Sequence, residues 1–245
     1  MAGNPSAAPA PPAVATGPGP DTRTRDGLLI GLTFAAGVVD AVSYLGLGKI
    51  FTANMTGNIV FLALAVGDRS LVTALYSVGA LLGFSVGALL AGQVVGRVRP
   101  PGPWPRRVTW LLLAELACLA AFAVGWATVS GRPNGPMPYV LIGLSSFGMG
   151  IQNAAARHLA VPGLTTTVIT TALTGFMVDL PALGVSGPTQ HRAGLAVAAL
   201  FSGAAIGAAV LELAPSVPPL FTVAIVLVVL LVAHVRWGER TPAPG

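Results

Sequence analysis

Apolar residues run along most of this chain in blocks of about twenty, at about 27–47, 50–67, 71–96, 108–128, 139–156, 164–187, 193–213 and 217–235. A block of that length, wound as a helix rising ~1.5 Å per residue, crosses ~30 Å of hydrocarbon. The pattern predicts an all-α polytopic membrane protein. Proline and glycine stop the helices in the links RVRPPGPWPRR at 97–107 and GRPNGPMP at 131–138. Two blocks break the pattern. The second opens FTANMTGN at residues 51–58, with Thr52, Asn54, Thr56 and Asn58 polar, and the sixth opens TTTVITTALTG at 165–175, with six threonines.

These two odd blocks correspond to each other. An offset of 113 residues aligns Phe34, Gly37, Asp40, Ala41 and Thr52 with Phe147, Gly150, Asn153, Ala154 and Thr165, and one further residue brings Thr56 onto Thr170. Near an offset of 120, Gly83 and Gly87 fall on Gly203 and Gly207. The reading is an internal duplication with halves at about 27–128 and 139–235, within one transmembrane domain over 27–235. Residues 1–26 are Pro/Ala/Gly-rich without apolar periodicity and read as a disordered tail, and 236–245 as a short C-terminal one.

Two topologies are open, and the cationic residues discriminate between them because Arg and Lys favour cytoplasmic loops. With eight crossings, the thirteen Lys and Arg divide seven against six, which is no bias. If the second and sixth blocks dip in and return on the same side, Lys49, Arg69 and Arg132 face the other ten. The charge rule therefore favours about six transmembrane helices plus two short re-entrant or half-helix segments. Both termini are then cytoplasmic. Three spans per half is an odd number, so the repeat is inverted.

Composition sharpens this picture. Hydrophobic residues are 54% of the chain and charged residues 9%, against about 25% charged in soluble domains. The net charge of +5 is scattered over the links, with no dense basic run, which excludes nucleic acid as a partner. Cys118 is the single cysteine, so no disulfide forms within the chain. Trp104, Trp110, Trp126 and Trp237 lie near predicted span ends, where an aromatic belt would place them.

Candidate chemistry is confined to the spans. Asp40 stands within the first, where a carboxylate is costly enough to suggest function; its role is solute or cation binding, proton coupling, or a hydrogen bond to the FTANMTGN turn. The turn opens a half-helix whose first N–H groups need partners at mid-depth, the arrangement by which transporters build sites between inverted repeats. The candidate substrate-binding set is Asp40, Asn54, Thr56, Asn58, Asn153, Thr167 and Thr170. Glu115 is a second carboxylate inside a span, and Gln152 adds an amide beside Asn153. Glycines four apart, at 79, 83 and 87 and again at 203 and 207, make flat faces for close helix packing or for a homo-oligomer. No metal-spaced His/Cys set, GxSxG or phosphate loop is present, so neither an enzyme nor a cofactor is expected.

The run GVVDAVSYLGLGKIFTANMTGNIV resembles the bacterial YoaK-like family of membrane proteins over roughly residues 27–235. The resemblance rests on Gly37 and Asp40 in the first span, Thr56, Gly57 and Asn58 in the turn, and GIQNAAARH followed by the threonine cluster. Where the family pattern has glycine after the threonine matched by Thr170, this chain has Thr171. The resemblance implies a bacterial inner-membrane protein of about six spans and supplies no activity. The residues themselves point to a small-solute or ion transporter or channel-like protein; the alternative is a non-transporting membrane scaffold or regulatory subunit.

Overall fold

The computed structural model describes residues 20–96, 102–159, 161 and 188–238, all helix, turn or loop. Seven helices are described: α1 Pro20–Gly46, α2 Met55–Gly67, α3 Leu71–Val95, α4 Arg106–Thr128, α5 Met137–Leu159, α6 Pro188–Leu213 and α7 Pro218–Trp237. Among the described residues, α1, α3, α4, α6 and α7 are long and apolar enough to cross a membrane. The sixth long helix, α5, has 23 residues, about 34 Å, but carries Ser145, Ser146 and Gln152, all buried. A helix enclosed by other helices need not be apolar all round. By contrast, α3 turns Leu71, Leu75, Leu82 and Leu89 outward, as a lipid-facing helix does. The sixth block of the sequence lies outside the described residues.

Contacts fix the directions of the six long helices. Asp26 near the start of α1 is paired with Arg192 near the start of α6 at 2.7 Å. Trp104, just before α4, stacks on Trp237 at the end of α7 with centroids 5.4 Å apart, and Arg107 donates to Val95 O at the end of α3 at 3.1 Å. At the opposite end, Gly46 of α1 lies against the Trp126 ring of α4, whose Nε1 donates to Pro215 O between α6 and α7 at 2.7 Å. Tyr76 of α3 meets Tyr139 of α5 there, with centroids 4.7 Å apart. Helices α1, α4 and α6 therefore run one way and α3, α5 and α7 the other.

Two helix pairs carry the closest packing, and they are built alike. A Cβ on Gly87 of α3 would overlap the Phe147 carbonyl of α5, and one on Gly203 of α6 would overlap the Phe34 carbonyl of α1. Reciprocally, Gly150 sits against Phe84 O and Ala88 N, and Gly37 against Leu200 O and Ala204 N. The α1 positions recur 113 residues later in α5, while the α3 positions recur 116 residues later in α6. The offset of 120 is thus wrong by one helical turn: Gly87 answers to Gly203 and Gly83 to Ala199. These small-residue faces are covered within one chain, by α5 and α1, so they are not free to join a second copy.

Two further expectations need correction. The first helix begins at Pro20, inside the stretch read as tail; Asp21 lies in its first turn, and Asp26 is anchored by the Arg192 pair. Of the described tryptophans, Trp126 is fully buried and Trp104 nearly so, each with its indole N–H donated to an oxygen, while Trp110 is 68% exposed. Buried hydrogen bonding holds the first two inside, so they do not form a belt.

Replacing Gly87 or Gly203 by Leu forces apart two backbones in contact and should cost roughly 3 kcal/mol or more. Gly92→Ala, where a Cβ meets nothing within 4 Å, should be neutral or stabilise by about 0.5–1 kcal/mol. Thermal unfolding of the purified protein in detergent checks both.

Candidate functional site

The chain between α1 and α2 turns back toward the bundle centre. Gly48 and Lys49 have φ of 93° and 62°. A Cβ on Gly48 would come within 2.8 Å of the Tyr76 ring, so only glycine fits. Leu47, Ile50 and Thr52 are then fully enclosed. The backbone at 52–54 is irregular, and its N–H groups have no helix or strand to bond with.

Asp40 supplies the partner. Its Oδ1 accepts from Thr52 N at 2.9 Å and Ala53 N at 2.8 Å, and the Asn54 N–H is directed at the same carboxylate. Consecutive N–H groups converging on one anion form an anion-binding nest, here filled by the chain's own carboxylate. One turn on, Ser43 Oγ is met by Thr52 Oγ1 at 3.5 Å. Six residues separate Asp40 from the end of α1, so the turn is held about 9 Å inside that end.

The Thr-Gly-Asn run clamps Phe51. Asn58 accepts from Phe51 N at 2.9 Å through Oδ1 and donates to Phe51 O through Nδ2. The Phe51 ring lies between Tyr44 and Phe61, with centroids 5.3 and 5.6 Å away. A Cβ on Gly57 would reach within 2.7 Å of that ring, which explains a glycine in the first turn of α2. Asn54 caps the helix, its Oδ1 facing Gly57 N at 3.5 Å.

A cavity of about 360 Å³ opens where the start of α2 meets α1, α3, α5 and α6. Of the predicted residues, Asp40, Asn54, Thr56 and Asn153 line it. Asn58 does not, because both ends of its buried amide are bonded to Phe51. Thr167 and Thr170 lie outside the described residues. Gln152 also lines the cavity: its Nε2 donates to Leu32 O at 3.2 Å, while its buried Oε1 accepts nothing from the described residues. Its signal in the sequence was an amide inside a span, next to Asn153. Phe84, Met149 and Leu200 give the cavity an apolar wall. Glu115 is fully buried on α4 facing α5, away from this lining. Among the described residues, no group of three His, Cys, Asp or Glu could hold a metal.

Long apolar helices packed around a cavity with polar groups in its wall define a polytopic α-helical transmembrane protein. The chain belongs to the family described as Protein of unknown function (DUF1275), whose profile matches residues 28–233. It is 42% identical over 156 residues to the UPF0700 transmembrane protein YoaK of Bacillus subtilis (strain 168), covering 64% of this chain and 67% of that relative. No solved structure matches it.

Asp40→Ala leaves the Thr52 and Ala53 N–H groups unbonded and should cost roughly 2–6 kcal/mol, at ~1–3 kcal/mol per buried unsatisfied group. Asp40→Asn keeps an acceptor oxygen and should cost less than half as much. Thermal unfolding in detergent compares the two, and equal losses would contradict the hydrogen-bonding role.

Proposed function

We propose that this protein is a small-solute or ion transporter or channel-like protein of the cell inner membrane. It has six spans, α2 as a re-entrant half-helix, and two inverted halves. The observation that carries the reading is the cavity shared by the start of α2 and by α5, which gathers Asp40, Asn54, Thr56 and Asn153. Asp40 and Asn153 are repeat counterparts, and the cavity receives one from each half.

Geometry supports the topology. Thirteen residues in α2 extend about 20 Å, too short for ~30 Å of hydrocarbon. The helix starts beside Asp40 and finishes near Tyr44, Lys49 and Thr73, at the end of the bundle where α1 stops and α3 begins. The matched glycine packing, with α1 and α5 running opposite ways, is what an inverted repeat produces. Among the described residues, Arg23, Arg25, Arg106, Arg107, Arg157, Arg192 and Arg236 gather at the end where α1 starts, and Lys49, Arg69 and Arg132 at the other. By the positive-inside rule the first end is cytoplasmic.

The scaffold reading draws on the internal bonds of Asp40, Thr52 and Asn58, which serve structure alone. Labelling separates the two. In a Cys118→Ala background, Thr56→Cys in membranes should react with a water-soluble thiol reagent, whereas Ile59→Cys, 59% exposed on the α2 surface, should be shielded by lipid. Protection of both positions would reject a solvated pathway. A reporter inserted at Arg69 should be external, and a cytoplasmic signal would reject the re-entrant topology.

A further inference from the structure

The cavity wall holds one buried acceptor without a donor among the described residues. Of the backbone N–H groups at its α2 edge, those of Thr52 and Ala53 are bonded to Asp40 Oδ1 and that of Gly57 faces Asn54 Oδ1. Facing them, Gln152 is 1% exposed, with its Oε1 unpartnered among the described residues. The Nε2 bond to Leu32 O, on the backbone of α1, fixes which end of the amide is the acceptor. A buried acceptor without a donor is costly, and this one belongs to a residue lining the space.

Charge points the same way. Asp40 is the one charged residue among the described lining, and no Lys or Arg there balances it. Among the described residues, no Lys or Arg forms an ion pair with Asp40, whereas Asp26 is paired with Arg25 and Arg192. An anionic solute would meet Asp40 with no cationic side chain to offset the repulsion. A cationic one would receive a carboxylate and an amide oxygen.

Size and the apolar wall exclude a bare ion as the best fit. About 360 Å³ is on the scale of organic-ligand pockets, which run from ~300 Å³ upward. Phe84, Met149 and Leu200 present hydrocarbon opposite the polar groups. Resting on the transporter reading above, we infer that the cavity takes a small primary amine, its ammonium N–H groups bonded to Gln152 Oε1 and the Asp40 carboxylate and its apolar group against Phe84, Met149 and Leu200.

The probes are n-butylammonium chloride, sodium butyrate as the matched anion, and sodium chloride as the cation without an apolar group. Binding only the folded state raises apparent stability. Butylammonium should raise the unfolding temperature of the detergent-solubilised protein saturably, and the two sodium salts should not. Gln152→Met removes the acceptor at nearly constant shape and should weaken the apparent affinity about tenfold or more, whereas Gln152→Glu should retain it. Should Gln152→Met fail to fold, Leu200→Trp fills the space from α6 and should abolish the shift.

An equal response to butyrate or to sodium chloride, or undiminished butylammonium binding in the folded Gln152→Met or Leu200→Trp variants, overturns the inference. If Thr56→Cys reacts with the aqueous thiol reagent but butylammonium has no effect, the amine assignment falls and the solvated cavity stands. If Thr56→Cys is also protected, both fall.

Discussion

One carboxylate oxygen accepting two backbone N–H groups organises this structure. In a bilayer, an irregular backbone cannot be left to lipid, because each unbonded polar group costs kilocalories with no water to compensate. The chain at 52–54 is such a segment, and Asp40 Oδ1 bonds it from the side of α1. That bond sets the depth of the turn and thereby where α2 begins. The cavity lies beside it because a short helix starting inside the bundle leaves space ahead of its first turn.

The second constraint is close packing of backbones. Gly37, Gly87, Gly150 and Gly203 each sit where any Cβ would collide with a neighbouring main chain. Such contact draws α1 onto α6 and α5 onto α3, so helices far apart in the chain are held backbone to backbone. The cavity is bordered by helices from both pairs, with Ala36 and Leu200 from one and Phe84 and Met149 from the other. A shift of one pair against the other would change its shape.

Much of this was legible in the sequence, for physical reasons. Helix existence followed from block length, and the start of α2 from the polar turn, whose Asn54 is the cap. Asp40 stood out because a carboxylate inside a span needs a reason. What the sequence concealed was the partner of each polar group. Asn54, Thr56 and Asn58 are equivalent as composition, but Asn58 points back to Phe51 while the other two line the cavity. Side-chain direction depends on helix phase and on the Phe51 ring, and neither is encoded in a list of polar positions. Trp126 likewise reads as interfacial from its place near a span end, and only the Pro215 carbonyl explains why it is inside. The register between α3 and α6 was misread by one turn, because glycines four residues apart align equally well at either turn.

Amide hydrogen exchange across residues 50–54 tests the central claim most directly. In the intact protein the Thr52 and Ala53 amides should exchange slowly, and in Asp40→Ala they should exchange at least about tenfold faster, the loss of ~1.4 kcal/mol of local protection, while the α1 amides before Asp40 stay protected. Equal protection of Thr52 and Ala53 with and without the Asp40 carboxylate would contradict the account.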